Sequence, residues 1–185
     1  LQYGEYKDFL VTTDMLMEGV HFDLTYIPFK HLGYKAAMVN LSDIYAMGGS
    51  PKQMTVSVAL SKRFGIEDME DFYAGLRLAC EAHGVDIIGG DTTSSRTGLA
   101  ISITAIGEVE KESATYRNGA KETDLFCVSG DLGAAYMGLQ LLEREKDVYY
   151  KQIETAKTDI ERMAISQPDF SGREYLLERQ MKPEA

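Results

Sequence analysis

The sequence predicts an α/β chain of the α+β type, and three observations predict it. Met54-Thr55-Val56-Ser57-Val58-Ala59-Leu60 alternates strictly, with Met54, Val56, Val58 and Leu60 on one face, the pattern of a strand lying on a core. Ile66, Met69, Phe72, Tyr73, Leu76 and Cys80 then recur at helical spacing. Up to about Glu110, strand-like and helix-like segments take turns, as they do in domains that layer helices on a sheet.

Each element has its own local reason. Leu1 to Asp8 reads as the close of a hairpin leading into a short strand, Phe9 to Thr12, that stops at the polar Thr12-Thr13-Asp14; a loop follows from Glu18 to Pro28. Leu32 to Met47 has helical length and many alanines, and Gly48-Gly49-Ser50-Pro51 is a stop signal. In the helix beginning at Ile66, Glu67, Asp68, Glu70 and Asp71 occupy the early turns, where the macrodipole favours anions, and His83-Gly84 closes it. Val85 to Ile88 reads as a short buried strand, and Leu99, Ile101 and Ile103 mark another that runs to about Val109. The polar stretch Glu110 to Asp124 places a domain boundary after residue 111. Beyond it come a strand from Leu125 to Val128, a helix from about Ala134 to Glu145, a charged solvated helix or loop from Lys146 to Arg162, and a last helix from Arg173 to Met181. The two ends read as those of an internal fragment.

Composition removes several classes of function. Nineteen basic residues against twenty-nine acidic give a formal net charge of −10 with no basic stripe, so a nucleic acid backbone is repelled. A small anionic ligand is compatible with that charge if carboxylates hold divalent cations beside it. No apolar run approaches the ~20 residues of a membrane span and no signal-peptide pattern opens the chain, so a cytoplasmic protein without a membrane partner is expected. Cys80 and Cys127 sit in apolar segments without CxxC spacing or a neighbouring His, and both read as reduced core residues. There is no G-x-S-x-G, H-E-x-x-H or Walker pattern.

What remains is a theme of carboxylates beside small residues. Asp14 follows two hydroxyls where a strand leaves its sheet, so Thr12, Thr13 and Asp14 form either an Asx-type loop opening or a set of oxygen ligands for a hard cation. Ala36, Asn40, Asp43 and Met47 share one helix face, which is either exposed or a functional surface, since a buried unpaired carboxylate is costly. In Gly89-Gly90-Asp91-Thr92-Thr93 the glycines expose backbone N–H groups and Asp91 offers a metal ligand, but a polar β-turn explains the same five residues. Gly130-Asp131-Leu132-Gly133 joins strand to helix, and His21 is a lone histidine in a loop, a poor basis for zinc.

Taken in order, Thr12-Thr13-Asp14 with Glu18-Gly19-Val20-His21-Phe22, Asn40-Leu41-Ser42-Asp43, and Gly89-Gly90-Asp91-Thr92-Thr93 resemble the thiamine-monophosphate kinase family. That family is part of the superfamily of aminoimidazole ribonucleotide synthetase and selenophosphate synthetase, and the resemblance runs from about Phe9 to Leu142. It implies transfer of the γ-phosphoryl group of ATP to the phosphate of thiamine monophosphate, giving thiamine diphosphate, with several Mg²⁺ ions between the anions. By that resemblance Thr12, Thr13, Asp14, Asp43 and Asp91 are Mg²⁺ ligands, with Asp43 and Asp91 the catalytic pair. Gly90, Asp91, Arg117 and Tyr73 contact the nucleotide, and His21 contacts thiamine monophosphate. It also implies an N-terminal mixed-sheet domain over residues 1–111 that binds ATP and Mg²⁺ and forms a homodimer through its sheet, and the start of a second α/β domain over 112–185. The family's Gly-Asp-Asp and Ser-Asp-Gly segments are not in these 185 residues. Rival readings are another ATP-using member of the superfamily, of the aminoimidazole ribonucleotide synthetase or hydrogenase-maturation type, and a nucleotide-binding module without catalysis.

Overall fold

A four-stranded mixed sheet with two long helices on one face organises the first part of the chain. The structure is a computed structural model and describes residues 6–130, 132–166 and 168–184. The expected hairpin close at Leu1 to Glu5, and Asp131 of the strand-to-helix turn, lie outside the described residues. In chain order the sheet domain contains β1 (Lys7–Met17), α1 (Phe29–Ala46), β2 (Ser50–Leu60), α2 (Ile66–His83), β3 (Asp86–Ser94) and β4 (Ala100–Glu110). The strand order is β1-β4-β2-β3. β4 runs antiparallel to both β1 and β2, while β3 is parallel to β2. β1 and β2 are thus parallel strands with β4 inserted between them, and β1 and β3 are the two edges.

The alternation read from the sequence decides which side is buried. Leu16 of β1, Met54, Val56 and Val58 of β2, and Ile101 and Ile103 of β4 pack with Leu32, Ala36, Ala37 and Leu41 of α1 and with Phe72, Leu76 and Ala79 of α2. α1 and α2 approach closely because two glycines meet the facing backbone. A Cβ on Gly33 would lie 1.9 Å from the Phe72 carbonyl oxygen, and one on Gly75 would lie 1.7 Å from that of Lys30. On the other face of β1, Phe9 (52% exposed), Val11 (66%) and Met15 (61%) are open to solvent.

Several expectations are corrected. β1 does not stop at Thr12 but continues through Asp14 to Met17, because β4 offers hydrogen-bonding partners along its whole length, Thr12 opposite Ala105 and Asp14 opposite Ile103. Gly89 to Thr93 is no turn: it lies inside β3, an exposed edge strand rather than a buried one. The pairing of β2 with β3 shifts register at Met54/Thr55, and a Cβ on Gly90 would fall 1.8 Å from the Val56 carbonyl oxygen, so glycine is what allows the two backbones to run this close. Leu125 to Val128 forms no strand, since no strand among the described residues pairs with it, and Leu125 and Phe126 are exposed. Cys127 shares that exposure, against the core position expected for it, whereas Cys80 is buried and its thiol is pushed up to about 11, mainly by burial.

The chain divides into two compact units, one reaching to Cys127 and one spanning Val128–Pro183. The first extends past the end of β4 because the following residues bond back to it: Lys111 N–H to the Tyr6 carbonyl at 3.0 Å, Glu112 N–H to Asp8 Oδ2 at 2.8 Å, and Thr115 N–H to the Met47 carbonyl at 3.0 Å. In the second unit α3 (Ala134–Thr155) absorbs much of the charged segment, followed by α4 (Asp159–Met163), whose Thr158 and Glu161 form a capping box, and α5 (Glu174–Met181). α3 packs on α5 around Leu142 and Gly138, where a Cβ would meet the Leu176 carbonyl at 2.2 Å. No helix among the described residues is long and apolar enough to cross a membrane.

Candidate active site at the β1 edge

Alternation along β1 sends Thr12 and Asp14 to the face that carries the helices and Thr13 to the opposite face. Thr12 meets α1: its hydroxyl donates to Asp43 Oδ2 at 2.7 Å. Asp14 belongs to the same cluster electrostatically. Burial pushes its carboxyl above the usual aspartate range, the Asp43 charge pushes it further, and His21 pulls it part of the way back. Asp43 stands in the last turn of α1, a turn without any basic residue, so the partial negative charge of the helix C-terminus adds to its own. The local field therefore favours a cation.

Asn40, one turn earlier on the same face, is fully buried. Its amide donates to the Ala36 carbonyl at 3.0 Å, while its Oδ1 has no partner among the described residues. A cavity of about 550 Å³ opens between the edge of β1, the end of α1 and the segment after β4. Thr12, Asp43 and Met47 line one side, and Thr115 and Arg117 the other. The bond from Thr115 to Met47 carries that segment to the cavity and, with it, a guanidinium that can face phosphate across from a carboxylate.

The donor set suits Mg²⁺. Two carboxylates and a hydroxyl are hard oxygen ligands, and the mutual repulsion of Asp14 and Asp43 is relieved by a divalent ion. No group of three or more acidic, His or Cys side chains able to hold a metal is found among the described residues.

His21 lies in the reversal after β1. The Met17 N–H donates to its Nδ1 at 3.0 Å, so Nδ1 is the acceptor nitrogen. The other expected residues stand apart. Thr13 binds Thr104 and the Ile103 carbonyl on the opposite face. Tyr73 packs edge-on against Phe72 beside the core, burial raising its phenol, and does not line the cavity. Asp91 is exposed on β3, accepts from the Thr92 N–H at 2.9 Å, and pairs in register with Ser57. Three strand spacings, about 14 Å, separate β3 from β1. Within one chain, then, Thr12, Asp14, Asp43, His21 and Arg117 gather at one edge, and Gly90 and Asp91 lie at the other. Sequence reasoning had Met47 on the candidate face of α1 but passed over Thr115 as a cavity wall and Glu18 and Arg63 as partners, because no local pattern marks contacts made across such separations.

Comparison with known proteins finds chains that are similar in sequence and fold. Over 146 residues the chain is 39% identical to the thiamine-monophosphate kinase of Bacillus subtilis, covering 79% of this chain and 45% of that protein. The solved thiamine monophosphate kinase from Aquifex aeolicus superposes with a TM-score of 0.74 at 35% identity, covering 97% of this chain and 53% of that one. A structure of AaThiL complexed with AMPPCP and TMP superposes with a TM-score of 0.75 at 34% identity, covering 99% and 51%. The chain thus spans about half the length of these relatives. Residues 1–109 match the family model described as AIR synthase related protein, N-terminal domain, and with that match covering more than half of the sequence, the chain belongs to the AIR synthase related family.

Proposed function

We propose that the protein containing this chain is a thiamine-monophosphate kinase that moves the γ-phosphoryl group of ATP onto the phosphate of thiamine monophosphate, releasing ADP and thiamine diphosphate. The observation that carries this reading is the cavity that Thr12, Asp43 and Arg117 line together, with Asp14 coupled electrostatically to Asp43, in a chain similar to proteins of that name. An acceptor that is already an anionic phosphate needs little general base; it needs two highly charged groups brought into line. Bound Mg²⁺ supplies the charge neutralisation for that approach.

The chain's residues supply the rest. Thr12, Asp14 and Asp43 hold the cation side, Arg117 orients nucleotide phosphate, and His21 offers Nε2–H to the acceptor phosphate. Gly90 and Asp91 cannot join them within one chain. We assign them to the nucleotide side through a homodimer in which a second copy packs on the face of the sheet that carries no helices. The ATP- and Mg²⁺-binding and dimerising domain is the compact unit that reaches Cys127, past the boundary expected after residue 111, and the second begins at Val128, in a cytoplasmic enzyme. A coupled ADP-release assay on the full-length protein should require both thiamine monophosphate and Mg²⁺. Turnover with a different acceptor and none with thiamine monophosphate would sink the assignment.

A further inference from the structure

We propose that Glu18 and Arg63 form a latch that positions the His21 ring, which makes both of them positioning residues of the site; the functional part of this inference rests on the reading of His21 as the acceptor-phosphate contact. The reversal that carries His21 is tightly self-bonded. The N–H groups of Val20 and His21 both donate to the Met17 carbonyl, at 3.1 and 2.9 Å, and Gly19 N–H donates to the Phe22 carbonyl at 2.8 Å. With the Met17 N–H directed at Nδ1, the proton of the neutral ring is on Nε2, which faces away from the backbone as a donor.

Glu18 ties this reversal to the rest of the sheet domain. Its own N–H donates to the Leu99 carbonyl at 3.0 Å, and its Oε2 accepts the Leu99 N–H at 3.0 Å. Its Oε1 accepts from the guanidinium of Arg63, an ion pair across 45 residues of sequence. Arg63 in turn lies over the Phe64 ring at 4.6 Å, and Phe64 meets Phe29, the first residue of α1, edge-on at 5.5 Å. One carboxylate therefore joins the loop after β1, the loop after β2 and the approach to β4. The fit is close: a Cβ on Gly98 would lie 2.8 Å from Glu18 Oε2. With the Arg63 side chain open to solvent the pair adds little to global stability, so what it contributes is the placement of the reversal.

The test reads His21 directly. In protein with ¹⁵N-labelled histidine, at a pH above the ordinary histidine range, the His21 signal, assigned among the three histidines with His21→Gln, should report a single tautomer protonated at Nε2. Arg63→Ala and Glu18→Gln should shift that signal toward tautomer averaging without moving the melting transition, and Arg63→Lys should restore it in part. In the full-length protein Arg63→Ala should raise KM for thiamine monophosphate about tenfold while kcat and KM for ATP stay within about twofold. A His21 signal identical in wild type, Arg63→Ala and Glu18→Gln overturns the latch. A responsive signal with an unchanged KM for thiamine monophosphate overturns its role toward the acceptor. A responsive signal in a protein that never uses thiamine monophosphate leaves the latch standing and removes the kinase reading instead.

Discussion

At the edge of the sheet, burial and the charge of Asp43 both act against the ionised carboxyl of Asp14. Its folded-state value is raised above the unfolded one by burial and by Asp43, so its contribution to stability is fully present below the unfolded aspartate value of about 4 and is lost as pH rises through the raised value. At neutral pH, without Mg²⁺, Asp14→Asn should therefore melt at a higher temperature than wild type, and the difference should shrink as pH falls toward 4. In Mg²⁺ with nucleotide the order should reverse, because the variant has lost a ligand whose binding stabilises the folded state. A variant no more stable than wild type in metal-free buffer at neutral pH would mean that Asp14 is not strained by its neighbours. The type and spacing of Thr12, Asp14 and Asp43 were readable in the sequence. That Thr12 and Asp43 bond to each other while Thr13 turns away was not, because the face a residue takes depends on β1 continuing past Thr12 along β4.

At the scale of elements, the helix pair is set by two glycines that helix propensity alone disfavours. Gly75→Ala gains that propensity and yet places a methyl group 1.7 Å from the Lys30 carbonyl, so α1 and α2 must separate. The expected result is a loss of about 1–3 kcal/mol in urea unfolding. A change within about 0.5 kcal/mol would show that the crossing is looser than described. α2 was legible from Ile66 to His83, since its acidic first turn and the left-handed Gly84 after it are local signals. β3 was not. Two glycines and a lone aspartate look like a turn, and only the bulged pairing with β2, which brings the Val56 carbonyl against Gly90, explains why they form a strand. Leu125 to Val128 failed in the opposite direction, a β-prone run without a pairing strand among the described residues.

At the scale of the whole molecule, the decisive fact is that Asp14 and Asp91 occupy opposite edges of one sheet. In the proposed homodimer, Asp14 of one copy and Asp91 of the other would share a site. The exposed Phe9, Val11 and Met15 on the face without helices supply an apolar surface for such an assembly. Full-length Asp43→Asn and Asp91→Asn proteins should each be inactive. Mixed through unfolding and refolding, they should recover about a quarter of wild-type activity, since half of the dimers are mixed and each of those holds one intact site of two. A mixture that stays inactive would mean that each site is made by a single chain and that Asp91 acts elsewhere.

The sequence by itself determined the elements whose causes are local, the alternation of β2 and β4 and the C-terminal stops of α1 and α2, and it named the carboxylates and hydroxyls proposed to hold a cation. Only the tertiary structure decided which of those residues meet. Meeting depends on strand order, register and the side of the pleat, which arise from pairings between segments far apart in the chain. Inserting β4 between β1 and β2 brings Thr12, Asp14, Asp43 and Arg117 to one edge and leaves Asp91 at the other.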